Sequence, residues 1–191
     1  MDKPLQTTLA DVIRFLNESQ VSYAMIGGLA ASLRGEPRVT ADVDLVLGVD
    51  VDRALELVVN LQGTPFQPLF SGVEEVVRKA FILPLRHTVT GVKVDMAIGL
   101  SGFERQVIAR AEQTRVADCE LALATAEDLL VMKLLAGRPR DVQDVHGIAM
   151  VQGERLDWQY CLKTATALGE AVDQDLVTQV QSLREEYGSG G

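Results

Sequence analysis

The spacing of hydrophobic and polar residues divides the chain into a mixed first part and a helical second part. In the first part, short apolar or alternating runs bounded by glycine, proline and polar residues predict β-strands. The predicted strands cover residues 23–26, 42–47, 81–87, 92–98, 114–116 and 120–123. Apolar residues at helical spacing predict helices at residues 8–16, 29–34, 54–61 and 103–110. The segment that contains Pro65 and Pro68 has no regular pattern and stays unassigned.

After residue 124 the pattern is helical only. Thr125 and Asp128 cap a helix that runs to Ala136, and Gly137 ends it. Further helices are predicted at residues 141–151, 158–168 and 176–187. The sequence therefore predicts an α+β protein, with a core at residues 1–124, a helical region at residues 125–187 and a disordered tail at residues 188–191.

Composition and charge narrow the class of protein. Hydrophobic residues make up 47% and charged residues 24%, which is ordinary for a globular chain. The most apolar stretch, residues 121–136, contains three charged residues, so we expect no membrane span, no secretory signal and a cytoplasmic location. A net charge of -9 disfavours a broad basic surface for nucleic acid. It remains compatible with nucleotide binding, because a metal site concentrates carboxylates.

Two carboxylates lie two positions apart on the second predicted strand. Asp42 and Asp44 therefore share one face of that strand. On a later strand, Lys93 and Asp95 share a face by the same alternation. Three carboxylates on adjacent strands would repel one another unless cations lay among them, and Mg²⁺ prefers such ligands. The simpler alternative is that Asp42 and Asp44 face solvent on an edge strand.

A glycine pair, Gly27-Gly28, follows the first predicted strand and precedes a short helix. Glycine lets the backbone approach a ligand closely, and the N–H groups at a helix start favour anionic phosphate. The alternative is an ordinary turn between strand and helix. The order is informative, because the glycine pair is followed by residues 38–44 with the two carboxylates and then by Asp95.

These residues resemble a known family. Residues 25–30, Met-Ile-Gly-Gly-Leu-Ala, and residues 38–45, Arg-Val-Thr-Ala-Asp-Val-Asp-Leu, are similar to the signature of the polymerase-β-like nucleotidyltransferase superfamily. Residues 127–141 are similar to a second element of its minimal and abortive-infection (AbiEii-type) toxin branches. The resemblance covers residues 20–150. One difference is Leu29, because many members have serine directly after the glycine, where it contacts phosphate.

The resemblance implies a mixed sheet flanked by helices and a metal-dependent transfer reaction. Two Mg²⁺ ions, or Mn²⁺ in their place, would assist transfer of a nucleoside monophosphate from an NTP to a hydroxyl, with release of pyrophosphate. The implied catalytic and metal-binding residues are Asp42, Asp44 and Asp95. The implied nucleotide-binding residues are Gly27, Gly28, Arg38, Thr40 and Lys133.

Several polar residues of the pattern have structural interpretations as well. Lys133 has the alternative of a solvated lysine on a helix rim. Asp141 and Asp144 are interpreted as helix-capping and ion-pair residues. His87 and His146 have no metal or nucleophile partner nearby in sequence and are interpreted as structural histidines.

The acceptor is left open by the sequence. By analogy with the family, it is the 3′ end of tRNA, modified by the toxin of a toxin–antitoxin pair. A small-molecule antibiotic and a protein are the alternative acceptors. A further alternative is a binding module without turnover, such as an antitoxin with a toxin partner.

Overall fold

A computed structural model describes residues 1–188 and confirms an α+β fold built on one mixed sheet. The strands of the described part are β1 Tyr23–Ile26, β2 Asp42–Leu47, β3 Phe66–Pro68, β4 Ile82–His87, β5 Lys93–Ile98, β6 Glu112–Val116 and β7 Cys119–Leu123. Its α-helices are α1 Lys3–Glu18, α2 Gly27–Arg34, α3 Val51–Val59, α4 Val73–Ala80, α5 Gly102–Arg110, α6 Ala126–Ala136, α7 Pro139–Gln152, α8 Trp158–Val172 and α9 Leu176–Tyr187. Residues 189–191 of the predicted disordered tail lie outside the described residues.

The chain forms two compact units. The first contains residues 1–29 and 40–124 and holds the whole sheet. The second contains residues 30–39 together with the described residues from 125 onward, and it holds α6 to α9. Residues 30–39 therefore group with the helical unit, although the sequence pattern assigns them to the core.

The sheet of the first unit has the strand order β3-β4-β5-β2-β1-β7-β6. β2 runs parallel to β5, and β1 runs parallel to β7. The other neighbouring strands are antiparallel. The two central carboxylate-bearing strands, β2 and β5, are thus direct neighbours, which brings the predicted Asp residues of both strands to the same part of the sheet.

One face of β2, β5 and β4 is apolar and packs against α1. Val43 and Val94 are fully buried on this face. His87, at the end of β4, is 1% exposed, and its Nε2 lies 2.9 Å from Asp11 Oδ2 on α1. Its Nδ1 accepts a hydrogen bond from the Thr90 backbone N–H at 3.1 Å. His87 is therefore a structural histidine, as predicted, and the opposite face of these strands carries the polar residues.

Four helices, α1, α2, α3 and α7, begin two or more residues earlier than predicted. α1 begins at Lys3, because the Asp2 side chain caps it by accepting the Leu5 N–H at 3.0 Å, so Thr8 lies buried inside the helix. α2 begins at Gly27, and the glycine pair therefore forms its first turn.

The unassigned segment contains a strand and a helix. β3 is the outermost strand on its side, where Pro68 is tolerated because an edge strand need not donate from every residue. α4 follows Gly72, which has φ +77° and no side-chain cap bond. The buried apolar residues of this helix are Val73 and Val77. Two buried positions are too few for the hydrophobic pattern of the sequence to predict a helix.

The second unit is built around α6, where Leu129, Leu130 and Val131 are completely buried. Trp158 of α8 is 7% exposed and donates from Nε1 to the Gly153 carbonyl at 3.1 Å, so it belongs to the core as predicted. Within residues 1–188, no helix is both long and apolar enough to cross a membrane.

Candidate active site

The parallel register of β2 and β5 brings four charged side chains together. Asp42 is paired with Lys93, and Asp44 is paired with Asp95. Because paired residues of neighbouring strands share a face, all four side chains project from the face opposite α1. Asp44 and Asp95 are half-buried, and Asp42, at the start of β2, is exposed.

Position 27 requires glycine, because the Asp44 side chain occupies the space that a β-carbon would fill. Its φ of +72° is a conformation that other residues rarely adopt, and a β-carbon at this position would collide with the Asp44 carboxylate. The next backbone N–H, that of Gly28, donates to Asp44 Oδ2 at 3.4 Å. The glycine pair thus seats Asp44 at the start of α2.

The two oxygens of Asp95 have different surroundings. Lys93 Nζ donates to Asp95 Oδ2 at 2.5 Å. Asp95 Oδ1 is buried and has no hydrogen-bond partner among residues 1–188. The hydrogen bond to Asp95 raises the pKa of the Lys93 ammonium, and the charges of Asp42 and Asp44 add to that effect. Lys93 therefore stays charged and holds one oxygen of Asp95, while the other is an unused acceptor.

A metal ion is compatible with these residues. No group of three or more His, Cys, Asp and Glu side chains in the described part of the chain is gathered closely enough to hold a metal. Mg²⁺, however, is commonly bound by one or two carboxylates together with waters and substrate phosphates. Asp44 and Asp95 supply hard oxygen ligands on neighbouring strands, and the unpartnered Asp95 Oδ1 is an oxygen that a cation would satisfy. Asp44 and Asp95 therefore fit a Mg²⁺ ion. The metal site formed by Asp42, Asp44 and Asp95 together stays a prediction.

Thr40 is half-buried in the loop that precedes β2, within the first unit. Its hydroxyl is a neutral donor of the kind that contacts phosphate. The nucleotide-binding role that the sequence assigns to Thr40 stays a prediction.

Arg38 and Lys133, the other two predicted nucleotide-binding residues, belong to the second unit, where they share a carboxylate. Arg38 donates from Nε to Asp144 Oδ1 at 2.5 Å and from Nη2 to Oδ2 at 2.9 Å. Lys133 Nζ lies 2.8 Å from Asp144 Oδ2 and 2.9 Å from Asp141 Oδ1. The phosphate roles of Arg38 and Lys133 stay predictions, and their contacts give both residues a structural part in this unit.

This ion network is buried. Lys133 is 7% exposed, so the alternative of a solvated lysine on a helix rim is wrong. Burial raises the pKa of Asp144, but hydrogen bonds from Arg38 and Lys133 outweigh burial and bring that pKa below its usual range. Asp141 is affected in the same way, with burial opposed by hydrogen bonds from Arg138 and Lys133. Both carboxylates are ionised and paired, as their structural interpretation predicts.

Two cations of the polar face were missed as site residues. Lys93 lies two positions before Asp95, and that spacing alone indicates a shared face. Arg86 is paired with Lys93 in the antiparallel register of β4 and β5. It could be found only through the register of the strand pairing, because no Asp, Glu, Lys or other Arg lies within six positions of it in the sequence.

A nucleotidyltransferase-like fold is indicated by three features together. These are the strand order, the glycine pair at a helix start, and the register that brings the carboxylates of β2 and β5 together. Sequence comparison agrees. Residues 6–187 match the family described as "Nucleotidyltransferase of unknown function (DUF6036)", and the chain belongs to this family. The match confirms the nucleotidyltransferase superfamily. The abortive-infection toxin branch stays a prediction. No curated protein matches the sequence.

Solved structures show the same fold. An antigenic nucleotidyltransferase-like protein from Paracoccidioides brasiliensis is 21% identical with a TM-score of 0.57, covering 94% of this chain and 93% of that chain. A structure of ANT(2")-Ia in complex with adenylyl-2"-tobramycin is 14% identical with a TM-score of 0.54, covering 95% of each chain. JHP933 from Helicobacter pylori is 13% identical with a TM-score of 0.50, covering 98% of this chain and 90% of that chain. At these identities the likeness is one of fold.

Proposed function

We propose that this protein transfers a nucleoside monophosphate from an NTP to a hydroxyl acceptor and releases pyrophosphate. The observation that carries the proposal is the register of Asp44 with Asp95, with Asp44 seated against the glycine pair. Carboxylates beside the N–H groups of a helix start suit a metal-bound triphosphate, because the helix end attracts phosphate and the carboxylates attract its cation.

In the proposed reaction, the acceptor oxygen forms a bond to the α-phosphorus of the NTP. The bond between that phosphorus and the oxygen bridging to the β-phosphate breaks, and pyrophosphate leaves on the side opposite the attack. Asp95 draws the proton from the acceptor hydroxyl as this bond forms. Lys93 donates a hydrogen bond to Asp95 Oδ2 and so holds the carboxylate in its orientation.

Asp42, Asp44 and Asp95 would hold two Mg²⁺ ions, or Mn²⁺ in their place. When bound, these ions supply positive charge to the attacking and leaving oxygens. The backbone at Gly27 and Gly28 and the hydroxyl of Thr40 would contact phosphate oxygens.

The 3′ end of tRNA is the acceptor that the family resemblance favours, with the chain as the toxin of a toxin–antitoxin pair. A second candidate is an antibiotic, because the ANT(2")-Ia structure contains an adenylylated aminoglycoside. The remaining candidates are transfer to a protein and a binding module without turnover.

The experiment is a transfer assay with each labelled NTP, Mg²⁺, and total RNA, cell lysate or an antibiotic panel as acceptor. We expect label in one acceptor class and release of pyrophosphate. Asp44→Asn should lower the rate by at least about a hundredfold, because it removes a metal ligand. The matched control is Asp118→Asn, which neutralises an exposed carboxylate in the turn between β6 and β7 and should leave the rate unchanged.

Equal turnover by wild type and Asp44→Asn would refute the proposed site. A wild-type protein that binds NTP but transfers to none of the acceptors would favour the binding module instead.

A further inference from the structure

A row of polar side chains continues from the carboxylates towards the β3 edge of the sheet. The register pairs Asp42 with Lys93, Lys93 with Arg86, and Arg86 with Gln67. Paired residues share a face, so all four project from the face that carries Asp44 and Asp95. Two adjacent cations, Lys93 and Arg86, therefore lie at the β4 side of the carboxylates.

These two cations are directly opposite each other on neighbouring strands. Like charges in such a position destabilise a sheet, so the pair is unfavourable for folding alone. Lys93 is offset by its bond to Asp95. Arg86 is exposed, and its Nη1 donates to the Gly91 carbonyl at 3.0 Å. A guanidinium has five N–H donors, so this contact leaves donors that an anionic ligand could use.

The geometry of in-line transfer assigns this side of the face to the acceptor. The glycine pair at the start of α2 adjoins β1, which pairs with β2 on the side away from β5. If the leaving pyrophosphate lies by the glycine pair, the attacking hydroxyl must approach from the opposite side of the α-phosphorus. In the strand order β4-β5-β2-β1, that side is the β4 side of Asp95.

We propose that the acceptor carries a phosphate next to its reacting hydroxyl, and that Arg86, with Lys93 beside it, binds that phosphate. The inference rests on the proposed transfer function. The 3′ end of an RNA and a phosphorylated small molecule both have this chemistry. Two cations match one or two phosphates, which agrees with a chain of net charge -9 that lacks the composition for a broad basic surface.

The same cations disfavour an aminoglycoside. A polyamine acceptor would bring ammonium groups against Arg86 and Lys93, and like-charge contacts at a binding surface reduce affinity strongly. Arg86 would thus be a specificity residue that selects an anionic acceptor and excludes a cationic one.

The test measures binding by titration calorimetry without NTP or Mg²⁺, so that it does not depend on turnover. The probes are an eight-nucleotide RNA with a free 3′-hydroxyl, glucose 6-phosphate with glucose as its uncharged counterpart, and tobramycin. We expect at least one phosphate probe to bind, and Arg86→Gln to weaken it about tenfold. Arg86→Lys should retain most of the affinity. Arg115→Gln, which removes an exposed arginine from β6, is the matched control and should change little.

For the RNA, the salt dependence of the Kd reports how many phosphates the protein contacts. The slope of log Kd against log salt should be about 1.4 for wild type and about 0.7 for Arg86→Gln, since each neutralised phosphate of a single strand contributes about 0.7. RNA binding alone would identify a nucleic-acid end, and glucose 6-phosphate binding alone would identify a small phosphate ester. Loss of affinity no greater than in Arg115→Gln, binding of neither phosphate probe, or tighter binding of tobramycin would overturn the inference. None of these results bears on whether Asp44 is needed for transfer.

Discussion

At the scale of single residues, the site depends on Gly27 and Asp44 as a pair. Gly27 combines a left-handed φ of +72° with the lack of a side chain, and the Asp44 carboxylate fills the space beside it. The glycine is thus required by a neighbouring side chain as well as by the backbone. Sequence alone predicted the two residues as parts of one site, but not that they touch.

Replacing Gly27 by alanine should cost more stability than the backbone strain alone. Strain at a left-handed position costs about 1 to 3 kcal/mol, and the overlap with Asp44 adds to it, so we expect a loss of about 2 to 4 kcal/mol. Gly91→Ala is the matched control, because Gly91 has φ +75° with open space around its missing β-carbon. Denaturant unfolding of both variants measures the difference. Equal losses would show that the Asp44 contact contributes nothing.

Asp44→Gly gives an independent check of the same contact. In that background, Gly27→Ala should cost only the strain term, because the atoms it would collide with are gone. A cost as large as in the wild-type background would contradict the pairing.

At the scale of elements, strands with a short apolar or partly alternating run were predicted closely and irregular elements were not. β1 and β2 have the predicted bounds, because β1 is a short apolar run and β2 alternates in part between carboxylates and buried aliphatic residues. β3 and α4 were missed, because a three-residue edge strand and a helix with few buried residues leave little hydrophobic pattern. The sequence predicts the pairing of β4 with β5 around Thr90 and Gly91, but not its register, and the register is what places Arg86 beside Lys93 on the polar face.

A prediction at this scale concerns the buried ion network between α6 and α7 in the second unit. Lys133→Met should lower the free energy of unfolding by about 3 kcal/mol, because it leaves Asp141 and Asp144 buried with one cation fewer. Lys163→Met, on an exposed position of α8, should change stability by less than about 0.5 kcal/mol. Chemical denaturation at neutral pH measures both variants. A Lys133→Met loss as small as that of Lys163→Met would contradict the network.

The same variant should show a defined pH dependence. The pKa values of Asp141 and Asp144 are lowered in the folded protein, so their contribution to stability is present above the unfolded value of 3.8 and is lost as pH falls through the folded values. The difference between wild type and Lys133→Met should therefore shrink below about pH 4. If the stability difference between the two proteins stays constant from pH 7 to pH 3, it does not depend on the charges of Asp141 and Asp144.

At the scale of the whole molecule, the sequence predicted the superfamily because an ordered set of short motifs is more specific than any one of them. The fold and the family match agree with that prediction. The assignment of residues 30–39 to the helical unit could not be predicted, because no composition change marks that boundary. The polar face lies entirely in the first unit, so the central claim can be tested there without knowledge of the acceptor.

That claim is that Asp44 and Asp95 bind a metal together with the triphosphate. The most direct measurement is calorimetric NTP affinity with Mg²⁺ and with EDTA, for wild type, Asp44→Asn and the control Asp118→Asn. Wild type and Asp118→Asn should bind at least about tenfold more tightly with Mg²⁺, because carboxylates and phosphates share the cation, and Asp44→Asn should lose this gain. An equal Mg²⁺ effect in Asp44→Asn and wild type would contradict the account.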